Sequence, residues 1–301
     1  MDSKHKKSLI CILGAAVFWG CSGVFFKELS GHGFGTMQVV FLRTSTAAVM
    51  LGLWLLFTDR DAFRIKLRDA WCFIGTGLLS LLLFNWSIYE AITLTGIAVS
   101  FVLLYTAPAF VAVISAWLFR EKLRLPQWGI LFLVLAGCAL VSGIVGVTDF
   151  GIKGVLFGLT SGFGYALYSI FGRYALNRDY RPQTITFYTF ALCATGSLIL
   201  SFAIPGPGAG FYIPEINMNI VIHILLLGSV GCVFPYILYT KGLAGVTGAQ
   251  ASMTATLEPV VATFIGVFIY KETLSVWQGF GAFLIIGSIL LLSVTSKPLP
   301  E

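Results

Sequence analysis

Two fully charged side chains stand inside long apolar stretches of this 301-residue chain: Arg43, in VVFLRTSTAAVML, and Glu258, in ATLEPVVATF. A charge at the centre of a bilayer costs about 2.5–3.5 kcal/mol or more unless it is paired or wetted, so such residues are functional candidates by default. A carboxylate at Glu258 could pair with a substrate amine or take up and release a proton. It could equally hydrogen-bond backbone groups freed by Pro259, which removes one amide donor and disturbs the carbonyl four residues back. Arg43, about two turns into its stretch, could hold a substrate carboxylate or serve a gate. Its plainer roles are snorkelling to an interface or pairing with a neighbouring helix.

A second group is aromatic and amide in character: Trp19, Asn85, Trp86, Tyr89, Tyr105, Tyr165, Tyr168, Tyr236 and Tyr239. Aromatic rings with a polar edge suit recognition of an apolar or planar metabolite. Tyr and Trp also belt membrane interfaces, a role as good for Trp86, Tyr89 and Tyr239. Trp19, Tyr105, Tyr165 and Tyr236 lie deeper and are the better cavity candidates. Glu121 and Glu272 stand at helix ends beside Arg120 and Lys271, where local ion pairing or gate closure on opposite membrane faces would each explain them.

These residues have to be positioned by a membrane fold. The chain is 57% hydrophobic and 11% charged, with a mean hydropathy of +0.91, whereas a soluble domain carries about 25% charged residues. Cys11, Cys21, Cys72, Cys138, Cys193 and Cys232 all fall in apolar runs and act as small hydrophobes, not as a disulfide framework. The N-terminal run is too long for a signal peptide and lacks a small-x-small exit, so it reads as the first retained span. A helix needs roughly 20 apolar residues to cross a bilayer. The hydropathy runs place spans at 8–26, 37–57, 70–89, 97–119, 127–147, 154–174, 184–204, 220–240, 248–270 and 277–294, an all-α membrane protein of ten transmembrane helices.

The basic residues orient them. With the N-terminus inside, the cytoplasmic segments hold Lys4, Lys6, Lys7, Arg60, Arg64, Lys66, Arg68, Arg120, Lys122, Arg124, Arg173, Arg178, Arg181, Lys241 and Lys297, which is 15 of the 19. Lys27, Lys153 and Lys271 fall outside. Lys and Arg in short loops stay cytoplasmic, so both termini are expected inside the plasma membrane. The net charge of +6 then faces anionic lipid and requires no nucleic-acid partner.

The chain also repeats itself. At one fixed offset of 151, Pro108 meets Pro259, Glu121 meets Glu272, Leu123 meets Leu274, Gln127 meets Gln278 and Ser142 meets Ser293. Earlier in each half Trp19 matches Tyr165, Lys27 matches Arg173 and Phe41 matches Phe187. Residues 1–148 and 149–301 are therefore expected to be two copies of a five-helix unit. Five being odd, the second copy enters the membrane inverted, an arrangement that builds alternating access around a central cavity. Pro108 and Pro259 are expected to break both symmetry-related helices near their middles, where irregular backbone is tolerated only beside a water-filled cavity.

Two such halves, each ending in P…(R/K)E…L…Q (Pro108, Arg120-Glu121, Leu123, Gln127; Pro259, Lys271-Glu272, Leu274, Gln278), with Trp19-Gly20 in the first helix and Arg43 in the second, resemble the EamA-type drug/metabolite transporter superfamily. The resemblance implies a gradient-coupled secondary carrier, often an exporter, of amino acids, other small metabolites or drugs, without cofactor. It also implies a cavity lined by the helices carrying Trp19, Asn85, Tyr105, Pro108, Tyr165, Tyr168 and Tyr236, to which the helix break adds Glu258 and Pro259 as candidates. One departure is that Thr189 stands at the place of Arg43 in the second half, so the arginine is not a symmetric feature of the fold.

Other classes fit less well. An intramembrane serine hydrolase could use only Ser161 with His223. His5, His32 and His223 are scattered and no HExxH is present, which excludes the usual metal hydrolase pattern. A passive channel matches the composition, but inverted repeats with helix-breaking prolines favour a carrier. Gly154, Gly158 and Gly162 put three glycines on one helix face for close packing. One chain holds both halves of a cavity, so it could act as a monomer or as a homodimer, and the segment 205–219 is expected outside, over an entrance.

Overall fold

The computed structural model describes residues 3–121, 123–147, 151–203 and 217–295. Among them the chain is helical: α1 (Ser3–Gly31), α2 (Thr36–Thr58), α3 (Leu67–Leu104), α4 (Ala107–Leu118), α5 (Leu125–Val141), α6 (Ile152–Leu176), α7 (Pro182–Ala203), α8 (Met218–Leu243), α9 (Gly248–Tyr270) and α10 (Val276–Thr295). Eight of these are long and apolar enough to cross a bilayer, and α4 and α5 are shorter apolar helices. Most of 205–219, together with Lys122 and Lys297, lies outside the described residues.

The helices are irregular where the sequence permits it. No loop separates the spans expected at 70–89 and 97–119. Instead α3 bends at Gly96, whose φ of 76° only glycine adopts freely. The chain then breaks again at Tyr105–Thr106, just before the helix bearing Pro108. An equivalent break at Thr256 divides α9 into Gly248–Ala255 and Leu257–Tyr270, with Pro259 in the first turn of the second piece. In each case proline takes a first-turn position, where its missing N–H costs nothing. Two wide π-helical turns, Gly75–Leu82 in α3 and Ser229–Val233 in α8, precede Asn85 and Tyr236. Such turns mark functional segments more often than chance.

Two pairs of positions 151 apart share local backbone geometry. Arg120 and Lys271 end their helices in the left-handed region, at φ 58° and 57°. The next N–H closes back onto the helix in both places, Glu121 to the Ser115 carbonyl and Glu272 to the Gly266 carbonyl, each at 3.2 Å. The Gln127 side chain accepts the Arg124 N–H at 2.9 Å, and Gln278 accepts that of Ser275 at 3.0 Å.

Small residues bring the helices together. A Cβ at Gly154 would meet Thr95, one at Gly158 would meet Leu103, and one at Gly162 would lie 2.7 Å from the Leu103 carbonyl, so the glycine face of α6 lies directly on α3. Gly137 of α5 and Gly281 of α10 face each other's carbonyls, at 3.0 and 2.7 Å from an added Cβ. Gly20 lets α1 cross α9 beside Val261 and the Glu258 carbonyl.

Loop contacts define two faces. On one, Arg181 bonds to Asp59, and buried Asp69 accepts from the Tyr180 hydroxyl at 2.9 Å and pairs with Arg178 at 3.1 Å. Partial burial holds the Tyr180 hydroxyl above its ordinary range, so it remains a donor. The start of α1 lies on the same face, with Ser8 and Lys4 against Gly245. On the opposite face the Lys27 ammonium sits 3.7 Å from the centre of the Tyr270 ring, and Asn219 donates to Glu28 at 3.4 Å.

Candidate functional site

The deep aromatic residues come together. The Trp19 ring of α1 lies 5.2 Å from Tyr236, 5.4 Å from Tyr239 and 6.2 Å from Tyr165, while Tyr168 lies 5.1 Å from Tyr236. Four helices thus contribute to one box: α1, α3 through Phe84, α6 and α8. Tyr239 belongs to it, against the alternative of an interfacial anchor, because its hydroxyl meets that of Ser169 at 2.7 Å and only 3% of the residue is exposed. Tyr168 meets Thr240 at the same distance. The Tyr239 and Tyr168 hydroxyls therefore have partners, and Trp19–Tyr165, Trp19–Tyr236 and Tyr168–Tyr236 meet edge to face, a preferred aromatic geometry.

Glu258 extends this box toward the broken helices. The Tyr165 hydroxyl donates to its carboxylate at 3.4 Å. Its carboxylate therefore faces a phenol of α6, not the backbone groups released by Pro259. Two cavities share Tyr165 as a wall. One is lined by Trp19, Phe84, Tyr168, Tyr236 and Tyr239. The other is lined by Tyr105, Pro108, Ser252, Thr256 and Glu258. Each has only about 10 Å³ of free space, room for roughly one water. Pro259 lies buried beside Glu258 as part of the break.

Arg43 is paired within the protein. Its guanidinium donates to the Asn85 side-chain oxygen at 2.5 Å, and the Asn85 amide donates to the Leu81 carbonyl at 2.6 Å, just after the π-helical turn. Its buried Nε has no partner among the described residues. Thr189, at the corresponding place of the second half, bonds to Thr76 at 2.7 Å. Trp86 packs on Phe157 with its indole N–H buried and without a partner among the described residues, and Tyr89 stays half-buried away from the box.

The local pairing expected at the glutamates is not made. Glu121 pairs with Arg173 and not with Arg120, because the left-handed residue between helix and carboxylate turns it across to α6 and α9. Glu272 is exposed and has no ion pair among the described residues. Sequence reasoning counted Arg173 as a loop charge, and its burial at 6% exposure follows from that cross-helix partner. The Ser161–His223 pair does not form either. Buried Ser161 donates to the Gly158 carbonyl at 2.6 Å, whereas His223 is held by the Asn219 carbonyl at 2.8 Å. Among the described residues no group of three His, Cys, Asp or Glu could hold a metal.

Comparison with known proteins gives one consistent result. The model of the EamA-like transporter family matches residues 6–143 and again residues 152–294. An uncharacterized transporter of Archaeoglobus fulgidus is 30% identical over 93% of this chain and 94% of its own length. The uncharacterized transporter YwfM of Bacillus subtilis is 24% identical over 95% and 93%. The uncharacterized inner membrane transporter YicL of Salmonella typhimurium is 22% identical over 97% of each. One crystal structure superposes with a TM-score of 0.80 over 97% of this chain and 99% of its own, at 15% identity, a likeness of fold alone.

Proposed function

Because this chain belongs to the EamA-like transporter family, we propose that it is a secondary carrier which exports small amine-bearing metabolites, amino acids or related compounds, by alternating access. The single observation that carries this reading is the Tyr165–Glu258 contact, at the junction of two small cavities and beside both helix breaks. A carboxylate surrounded by Tyr105, Tyr165 and Pro108 offers a cation a charge partner and aromatic faces together. The cavities are too small for a metabolite as they stand, so a carrier built this way must open to load. Arg43 and Asn85, bonded to each other between α2 and α3, supply donors suited to a substrate carboxylate.

The repeat supports the mechanism. Two five-helix units, 1–148 and 149–301, inverted around this site, account for the matched caps at Gln127 and Gln278 and the matched breaks at Tyr105–Thr106 and Thr256. The family model matching twice has the same implication. The face bearing Arg60, Arg178 and the start of α1 carries most of the basic loops, which supports a cytoplasmic location for both termini. The experiment is counterflow in proteoliposomes with a panel of radiolabelled amino acids and amines. Accumulation that disappears in Glu258→Gln is expected. Equal accumulation in both proteins would refute the assigned site.

A further inference from the structure

Glu121 reaches out of its own half. Its carboxylate accepts the Gly248 N–H at 2.9 Å and lies 3.5 Å from the Arg173 guanidinium, with the two side chains 11% and 7% exposed. Arg173 also donates to the Val246 carbonyl. The ends of α4 and α6 and the start of α9 therefore meet at one buried charge pair. A carboxylate there is further favoured by the positive end of the α9 dipole. Around it Gly248 lies tightly on Ser115 and Val111 of α4.

The corresponding residues on the opposite face are Glu272 for Glu121, Ile97 for Gly248 and Lys27 for Arg173. The backbone is ready in the same way: a left-handed basic residue precedes Glu272, and Ile97 restarts a helix after Gly96. The side chains are not joined. The Glu272 carboxylate folds back over Gly266, Lys27 sits over the Tyr270 ring instead, and Ile97 is 67% exposed. The first piece of α9 packs on α4 and α6, but no comparable packing joins residues 97–104 to α1 or to the second piece of α9.

We propose that Glu121–Arg173 and Glu272–Lys27 are two mutually exclusive latches, and that the structure stands with the first closed and the second open. In the opposite orientation Glu272 takes Lys27 and the N–H groups at Ile97, while Glu121 releases Arg173 and Gly248. A buried ion pair adds little net stability once its desolvation is counted, which suits a contact that must be made and broken. The proposal rests on the alternating-access reading for the motion, but its test needs no substrate, so the two can fail separately.

The test is hydrogen–deuterium exchange of the full chain in lipid nanodiscs. Glu121→Gln is expected to speed exchange of amides 244–250 several-fold and, at the same time, to slow exchange at 97–100. Adding Lys27→Met or Glu272→Gln, both at exposed sites, should abolish that slowing. Arg173→Lys, which keeps the charge but cannot hold Glu121 and Val246 together, is the second variant should Glu121→Gln fold poorly. Faster exchange at 244–250 with 97–100 unchanged would mean local loosening only and would overturn the proposal, as would slowing that survives the loss of Glu272.

Discussion

The Tyr165 hydroxyl lies 3.4 Å from the Glu258 carboxylate, joining α6 to the broken α9. The same ring separates two cavities lined by different helices. In the proposed carrier a substrate amine competes with this phenol for the carboxylate. Tyr165→Phe, which keeps the ring and removes the donor, is expected to tighten binding of amine substrates while leaving the fold intact. Binding isotherms on purified protein check this.

The Arg43–Asn85 bond leads to a stability prediction. Asn85→Leu leaves a partly buried guanidinium without its acceptor, at a cost of about 1–3 kcal/mol. Arg43→Met in the same background removes the stranded charge and should recover part of the loss. Thermal unfolding of the single and double variants reads the difference.

Helix packing gives a second stability prediction. An added methyl at Gly162 would fall 2.7 Å from the Leu103 carbonyl, and backbone cannot move aside as a side-chain tip can. Gly162→Ala is expected to destabilise by roughly 1–3 kcal/mol, the usual cost of overpacking. Gly129→Ala, whose added Cβ meets nothing within 4 Å, is the neutral control.

The loop cluster of Asp69, Arg178 and Tyr180 carries a pH signature. The folded state holds the Tyr180 hydroxyl above its unfolded value. Its contribution is therefore fully present below about pH 10, the ordinary tyrosine value, and is lost as pH rises through the folded value. Thermal stability measured from neutral to alkaline pH should fall less steeply in Tyr180→Phe than in the parent. A parallel fall would show that the hydroxyl contributes nothing to the alkaline limb.

Much of this was legible in the sequence, for physical reasons. Hydropathy marked an all-helical membrane protein because the bilayer fixes span length, although the run 97–119 divides between α3 and the short α4, and the glycine face of α6 was readable because close approach needs residues without Cβ. Of Trp19, Tyr105, Tyr165 and Tyr236, chosen by depth and residue type, three meet in one box and Tyr105 lines the neighbouring cavity instead; Tyr168, placed by the family resemblance, joins the box. What could not be read was how helices turn. The π-helical turns before Asn85 and Tyr236 leave no compositional mark, and the Gly96 bend looks like any membrane glycine. Arg173 was missed because it sits where a loop arginine would, and only its contact with Glu121 shows that it is buried.

The most direct test is ligand-induced thermal stabilisation of the purified protein across amino acids, amines, nucleosides and drugs, with Glu258→Gln beside it. A ligand at 100 times its Kd stabilises by about 2.7 kcal/mol, so millimolar binders are detectable. A carrier that holds its substrate amine at Glu258 shows a rise in Tm for amine-bearing ligands in the parent and none in the variant. An equal rise in both, or a response confined to ligands without an amine, would contradict it.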